Sequence, residues 1–219
     1  MSNIQSTYNE NGVVTLTWDM PGRSQNVFNS ASLEDFTNAF EAAAADESVA
    51  GIIIASAKKT FIAGADLETL NDMAFGGKTA EDLNDSVGAL SVILRRLETC
   101  GKPVVAAISG TALGGGFELA LACHRRFVAD TPSIKLGLPE ATLGLLPGAG
   151  GTQRLPRMIG VQRSLPLLLE GKQLRPEAAL KTGIIDEIIP ADQLINSAQN
   201  WIANNPDAHT QPWDKKGFA

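Results

Sequence analysis

The chain has 219 residues, 44% of them apolar and 19% charged, which is enough for one substantial domain around a buried core. Eighteen Lys and Arg against 24 Asp and Glu leave a net charge of −6, which argues against a general nucleic-acid binder with a basic face. The two cysteines, Cys100 and Cys123, have no metal-ligand spacing and form no disulfide framework, so a reduced, cytoplasmic protein is expected. The polar start Met1–Gln5 lacks the pattern of a signal peptide. No apolar run reaches the ~20 residues that span a bilayer.

In chain order, the alternation of Val14, Leu16 and Trp18 with Thr15 and Thr17 predicts a half-buried strand over 13–19, broken by Pro21-Gly22. Ser32 and Asp35 resemble a capping box ahead of Leu33, Phe36 and Phe40, so a helix is expected to about Ala45. The β-branched run 51–55 reads as a strand covered on both faces. A loop over 58–66 leads to a long polar helix whose apolar face is Leu83, Val87, Leu90, Leu94 and Leu97. Further strands are expected at 104–108, 127–129 and 184–189. Pro176 opens a helix that Gly183 ends, and a last helix runs from about Asp192 to Ala203. Strands alternating with helices indicate an α/β fold with parallel pairing. No internal repeat is visible. The pairs Lys58-Lys59 and Arg125-Arg126 read as solvated surface charge, and the polar, Pro-containing segment 204–219 reads as a linker or unfinished end.

Three segments carry chemistry. In ISGTALGGGFELALAC (108–123) a buried strand ends in Gly114-Gly115-Gly116 and a helix of small residues follows. Glycines there allow close backbone approach and leave N–H groups at a helix start for an anion or a developing oxyanion. The spacing is neither a dinucleotide fingerprint nor a P-loop. The alternative is a turn that only lets helix and strand pack. Glu118 lies in the first turn of that helix. It is either a dipole-stabilised surface acid or, if buried, a carboxyl whose pKa rises into the range useful for proton transfer. In LGLPEATLGLLPGAGGTQR (136–154), Glu140 follows Pro139, and Gly148-Ala149-Gly150-Gly151 opens another helix. Glu140 also reads as a first-turn acid on a short helix. In FIAGADL (61–67), small residues after an Ile-rich strand expose backbone N–H groups at a strand's C-terminal edge, where α/β proteins bind ligands.

Taken in this order and at these separations, FIAGADL, ALGGGFELALAC and LPEATLGLLPGAGGTQRLPR resemble the crotonase (enoyl-CoA hydratase/isomerase) superfamily, over about Val13 to Leu194. The resemblance implies an α/β spiral of ββα repeats, here lacking some or all of the usual C-terminal helical region, and an acyl-CoA thioester substrate. It carries an oxyanion hole over to the N–H groups of Ala65 and Gly115. It places Glu118 and Glu140 at the two positions that hydratases fill with glutamate, Glu118 mainly activating water and Glu140 mainly protonating C2. Two carboxylates bracket a water, whereas one suffices for a Δ3-Δ2 isomerase. Neither a metal nor a redox cofactor is needed, CoA being part of the substrate.

CoA contacts carry over to Ser24, Gln25, Ala63, Gly64, Asp66, Leu67 and Gly114, with Lys58 or Lys59 meeting a phosphate. Trp18 to Asn26 and the ending QPWDKKGF resemble the N-terminal hydratase region of multifunctional fatty-acid oxidation α-subunits. That implies a role in β-oxidation, and either assembly of copies of this chain or a following 3-hydroxyacyl-CoA dehydrogenase region and a thiolase partner. The leading expectation is hydration of trans-2-enoyl-CoA. The alternatives are Δ3-Δ2 isomerisation and a non-catalytic acyl-CoA-binding or assembly module. His124 reads as structural, because the glutamates already supply the chemistry.

Overall fold

The computed structural model describes residues 2–66, 68, 69, 71, 76, 77 and 79–218, with backbone alone over 80–87. The larger sheet has the order β1-β2-β3-β5-β7-β9. Its strands are β1 (Ile4–Tyr8), β2 (Val13–Trp18), β3 (Gly51–Ser56), β5 (Val104–Ile108), β7 (Arg125–Ala129) and β9 (Glu187–Ile189). Only β1 and β2 pair antiparallel, with Ile4 opposite Trp18; the other neighbours are parallel. The expected strands at 13–19, 51–55, 104–108 and 127–129 are all in this sheet. A smaller parallel sheet has the order β4-β6-β8, from Thr60–Ile62, Thr111–Leu113 and Leu136–Gly137.

The strands alternate between sheets. β3 and β4 are followed by helix α2 (Ala80–Glu98), β5 and β6 by α3 (Gly115–Ala122), and β7 and β8 by the helix at 151–159. Each ββα turn therefore adds one strand to each sheet. This repeat is structural and leaves no repeat in the sequence, because the second strand of each turn is only two or three residues long.

Helix α1 (Ser30–Ala45) buries Phe36 and Phe40 against β1 and β2, and Phe36 stacks on Trp18 at 5.2 Å between centroids. Its capping box uses Asn29 and Ser32: Asn29 Oδ1 accepts from the Ser32 N–H, and Ser32 Oγ accepts from the Asn29 N–H. The expected Ser32–Asp35 box is thus displaced by three residues. Asp35 instead accepts from the backbone and side chain of Asn3, tying the helix to the chain start. In α2, Leu94 and Leu97 are buried and Leu90 packs against the core; Leu83 and Val87 fall where only backbone is described.

The remaining helices are α4 (Gly151–Ile159), α5 (Val161–Leu169), α6 (Pro176–Thr182) and α7 (Leu194–Asn204). The strand expected over 184–189 shortens to 187–189 because Ile184 donates to the Ala179 carbonyl and so completes the turn that Gly183 makes at the end of α6. A 3-10 turn over Ala191–Gln193 holds Asp192, so α7 starts at Leu194. The segment expected as a linker or unfinished end is packed against the domain: buried Gln211 donates to the carbonyls of Ala122 and Cys123, and Asp214 accepts from Arg95. Arg126 departs from the expected surface charge. It is 6% exposed, donates to the Cys123 carbonyl and pairs with Asp186 at 2.7 Å. Among the described residues, no helix is long and apolar enough to cross a membrane.

Candidate active site

The three parallel strands of the small sheet deliver the three chemistry-bearing segments to one edge. β4 ends into Ala63-Gly64-Ala65-Asp66, β6 into Gly114-Gly115, and β8 into Leu138-Pro139-Glu140. Gly114 donates to the Gly137 carbonyl at 3.0 Å, which locks the second turn beside the third. Gly114 has φ 54° and ψ −133°, a conformation that only glycine adopts without strain. A Cβ there would stand 3.6 Å from Gly64 Cα and 3.1 Å from Glu140 Oε1, so the three turns meet at this residue.

Around this meeting point, the N–H of Phe28 donates to Gly64 and the N–H of Asp66 donates to Phe28, so the Ala65 N–H faces away from that ladder. Gly115 is the first residue of α3, where the N–H has no intrahelical acceptor. Among the described residues, neither N–H has a backbone acceptor. The structure thus brings Gly64, Ala65, Gly114, Gly115 and Glu140 together.

Glu118 is 2% exposed in the first turn of α3. Its Oε1 accepts from the N–H groups of Ala149 and Gly151, both at 2.8 Å. Burial pushes its pKa up, while those two donors and the charge of Arg154 act in the opposite direction. Gly151 leaves room for the carboxylate, since a Cβ there would be 3.1 Å from Glu118 Oε1 and 2.5 Å from Leu138 Cδ1. The surface-acid alternative for Glu118 does not describe this environment.

Glu140 is half-buried in a 3-10 turn over Pro139–Leu143. Among the described residues its Oε2 is buried without a hydrogen-bond partner. Burial, reinforced by the charge of Glu118, pushes its pKa up to about 7. Two carboxyl groups with disfavoured ionisation, one held by two N–H groups and one with an unpartnered buried oxygen, are equipped to accept and to give a proton.

Most of the residues expected at CoA fall in the loop after β2 and in the turn after β4. Ser24 and Gln25 are exposed in the loop after β2, and Ala63 is half-buried. Asp66 is buried and pairs with Arg23 at 2.6 Å. Lys58 pairs with Asp19 at 2.6 Å rather than standing free. Leu67 lies outside the described residues.

Sequence reasoning missed Asn26. It is fully buried, its Oδ1 accepts from Met20, and its Nδ2 donates to the Trp18 carbonyl, Ser56 Oγ and the Phe61 carbonyl. Its own carbonyl accepts from Ala63. It therefore fastens the loop after β2 to the turn that carries Ala65. His124 is held structurally: Nδ1 accepts from Val104 and Nε2 faces the Glu98 carbonyl. Among the described residues, no group of three or more His, Cys, Asp or Glu is arranged to hold a metal ion.

Comparisons with known proteins place the chain in a family. Residues 8–212 match the model of the family described as Enoyl-CoA hydratase/isomerase. The fatty acid oxidation complex subunit alpha of Shewanella loihica is 44% identical over 190 residues, covering 86% of this chain and 26% of the relative. The subunit of the same name from Idiomarina loihiensis is 40% identical over 204 residues, 93% of this chain and 28% of the relative. The chain thus spans about a quarter of the length of these curated relatives. Among solved structures, an enoyl-CoA hydratase from Bacillus anthracis superposes with a TM-score of 0.83 at 34% identity, covering 93% of this chain and 76% of that one. Matched along most of its length, this chain belongs to the enoyl-CoA hydratase/isomerase, or crotonase, family.

Proposed function

We propose that the protein hydrates trans-2-enoyl-CoA thioesters, as in fatty-acid β-oxidation. The thioester carbonyl accepts from the N–H groups of Ala65 and Gly115, and a donor of this kind contributes roughly 3 kcal/mol to transition-state stabilisation. Glu118 takes a proton from a water whose oxygen bonds to C3. The C2=C3 electron pair moves toward C1 as an enolate, and Glu140 delivers a proton to C2. The proton gained by Glu118 and the one lost by Glu140 are restored by exchange between the pair or with solvent. Every step uses only water, protons and the polarised thioester.

The observation that carries this reading is geometric: Glu140 Oε1 stands 3.1 Å from the Cβ position of Gly114, next to the helix-start N–H of Gly115, and Glu118 is buried in the first turn of that same helix. The loss of enoyl absorbance with crotonyl-CoA tests it, for wild type, Glu118→Gln and Glu140→Gln. Each variant is expected to lose at least about 100-fold in kcat. Full activity in both variants sinks the reading.

The unpartnered Oε2 of Glu140 favours isomerisation as a second activity, because one carboxyl can carry a proton between C4 and C2. Turnover of 3-enoyl-CoA is then expected to survive Glu118→Gln better than Glu140→Gln. Equal loss counts against a single-carboxylate route.

A further inference from the structure

Behind the loop that holds Glu118 lies a buried ion pair formed by residues far apart in the chain. Glu98, at the end of α2, is 3% exposed, and Arg154, in α4, is 6% exposed. Arg154 Nε donates to Glu98 Oε1 at 2.7 Å, and Arg154 Nη1 donates to the Ala149 carbonyl at 2.7 Å. The N–H of that same Ala149 donates to Glu118 Oε1. Gly150 makes room for the arrangement: a Cβ there would stand 2.4 Å from Arg154 Nη1. On the outside, Arg95 bridges Glu98 Oε2 at 3.0 Å to both carboxylate oxygens of Asp214. A cleft of about 400 Å³ opens on Arg95, Glu98, Arg154 and Asp214, and neither Glu118 nor Glu140 lines it.

A buried ion pair is a weak source of stability, since desolvation of both ions offsets their attraction and apolar replacements are often neutral. The geometry here does something more specific. A planar guanidinium fork grips an acceptor on each of two sides, which an ammonium on a flexible stem cannot reproduce. We propose that Arg154, held by Glu98, is a positioning residue that fixes the Ala149 carbonyl and thereby aims the N–H groups of Ala149 and Gly151 at Glu118. The proposal rests on the reading of Glu118 as the water-activating carboxylate. Its effect is to hold the Glu118 carboxylate in one direction and to oppose the upward push of burial on its pKa, because both N–H donors and the Arg154 charge favour the ionised form.

The test uses Arg154→Lys, Arg154→Met and the double variant Glu98→Gln/Arg154→Met, which removes both buried charges together and so leaves neither unpaired. Thermal melts establish folding. Carboxyl 13C NMR follows the titration of Glu118 without substrate, in a Glu140→Gln background so that one member of the coupled pair titrates. Crotonyl-CoA kinetics give kcat and KM against pH in the Glu140-containing protein. In the double variant the Glu118 titration is expected to move up by roughly 1 unit or more. The expected kcat loss is about 10-fold or greater, with KM within about threefold and the acid limb displaced upward in parallel. Arg154→Lys, which keeps the charge but not the fork, is expected to fall between. A folded double variant with the wild-type titration and kcat overturns the proposal. If the wild type turns over no enoyl-CoA, the hydratase reading fails by itself, and the NMR titration still decides the positioning role.

Discussion

Gly114 and Glu140 meet so closely that a side chain on the first would press on the carboxylate of the second, with 3.1 Å between the Cβ position and Oε1. The positive φ of Gly114 adds a backbone cost of its own for any L-residue. Gly114→Ala is therefore expected to lower stability by roughly 1–3 kcal/mol. It is also expected to reduce crotonyl-CoA hydration further than that loss explains, because Glu140 must move and Gly115 follows directly in the chain. Urea titration and kcat on the same preparation separate the two effects. A variant of wild-type activity would show that Glu140 reaches its acceptor from a displaced position.

The raised pKa of Glu140 makes a second prediction through linkage. Its folded-state value of about 7 lies above the ordinary 4.5, so the folded protein binds this proton more tightly than the unfolded chain. The resulting stability is fully present below pH 4.5 and is lost as the pH rises through about 7. Wild type is therefore expected to lose Tm relative to Glu140→Gln across that window and to run parallel to it above. If Glu140 gives the proton to C2, kcat also falls on the alkaline side of about pH 7. Melting curves from pH 4.5 to 8.5 on both proteins check the first expectation, and a pH–kcat profile of wild type checks the second.

These predictions depend on both what the sequence revealed and what it concealed. β2, β3 and β5 were readable because five or six residues of alternating or continuous apolar character leave few other interpretations, whereas β7 was read only over its apolar part, 127–129, and not over Arg125 and Arg126. β4, β6 and β8 were not, because two or three residues carry no period; they are strands only by virtue of their parallel neighbours. The candidate site residues were readable from the ordered motifs, whose glycines mark where backbones approach. Their supports were hidden. Nothing local pairs Glu98 with Arg154, 56 positions away, and Arg126 looked like surface charge until Asp186 arrived beside it. Asn26 sat inside a recognised segment, yet its four side-chain hydrogen bonds become visible only when strand ends converge.

Asn26→Ala removes those bonds at a fully buried position. The Met20 N–H loses its partner and the carbonyls of Trp18 and Phe61 each lose a donor, the Trp18 carbonyl keeping the Ala57 N–H, at about 1–3 kcal/mol for a group left unsatisfied. A total loss of about 2–5 kcal/mol is expected, below a simple sum because the loop relaxes. The turn from Ala63 to Asp66 loosens with it, so KM for crotonyl-CoA is expected to rise more than kcat falls. Denaturant unfolding and steady-state kinetics read these separately. A change in kcat alone would place Asn26 closer to the chemistry than its hydrogen bonds suggest.

His124 provides the converse case, a titratable ring near the network that the proposed chemistry does not use. Burial holds its pKa below the ordinary 6.5. Because Nδ1 accepts from Val104, Nε2 carries the proton toward the Glu98 carbonyl, so the folded state requires the neutral ring. A depressed value in the folded state means stability that is present above pH 6.5 and lost as the pH falls through the folded value. His124→Asn keeps an acceptor for Val104 but cannot titrate. Its Tm is therefore expected to be lower than wild type at pH 8 and to fall less steeply toward pH 5. Its kcat for crotonyl-CoA at pH 8 is expected to stay within about twofold, since no proton in the proposed reaction passes through the ring. Loss of turnover in a folded His124→Asn protein would mean that the two glutamates do not account for the proton transfers, and that the ring behind α3 takes part in them.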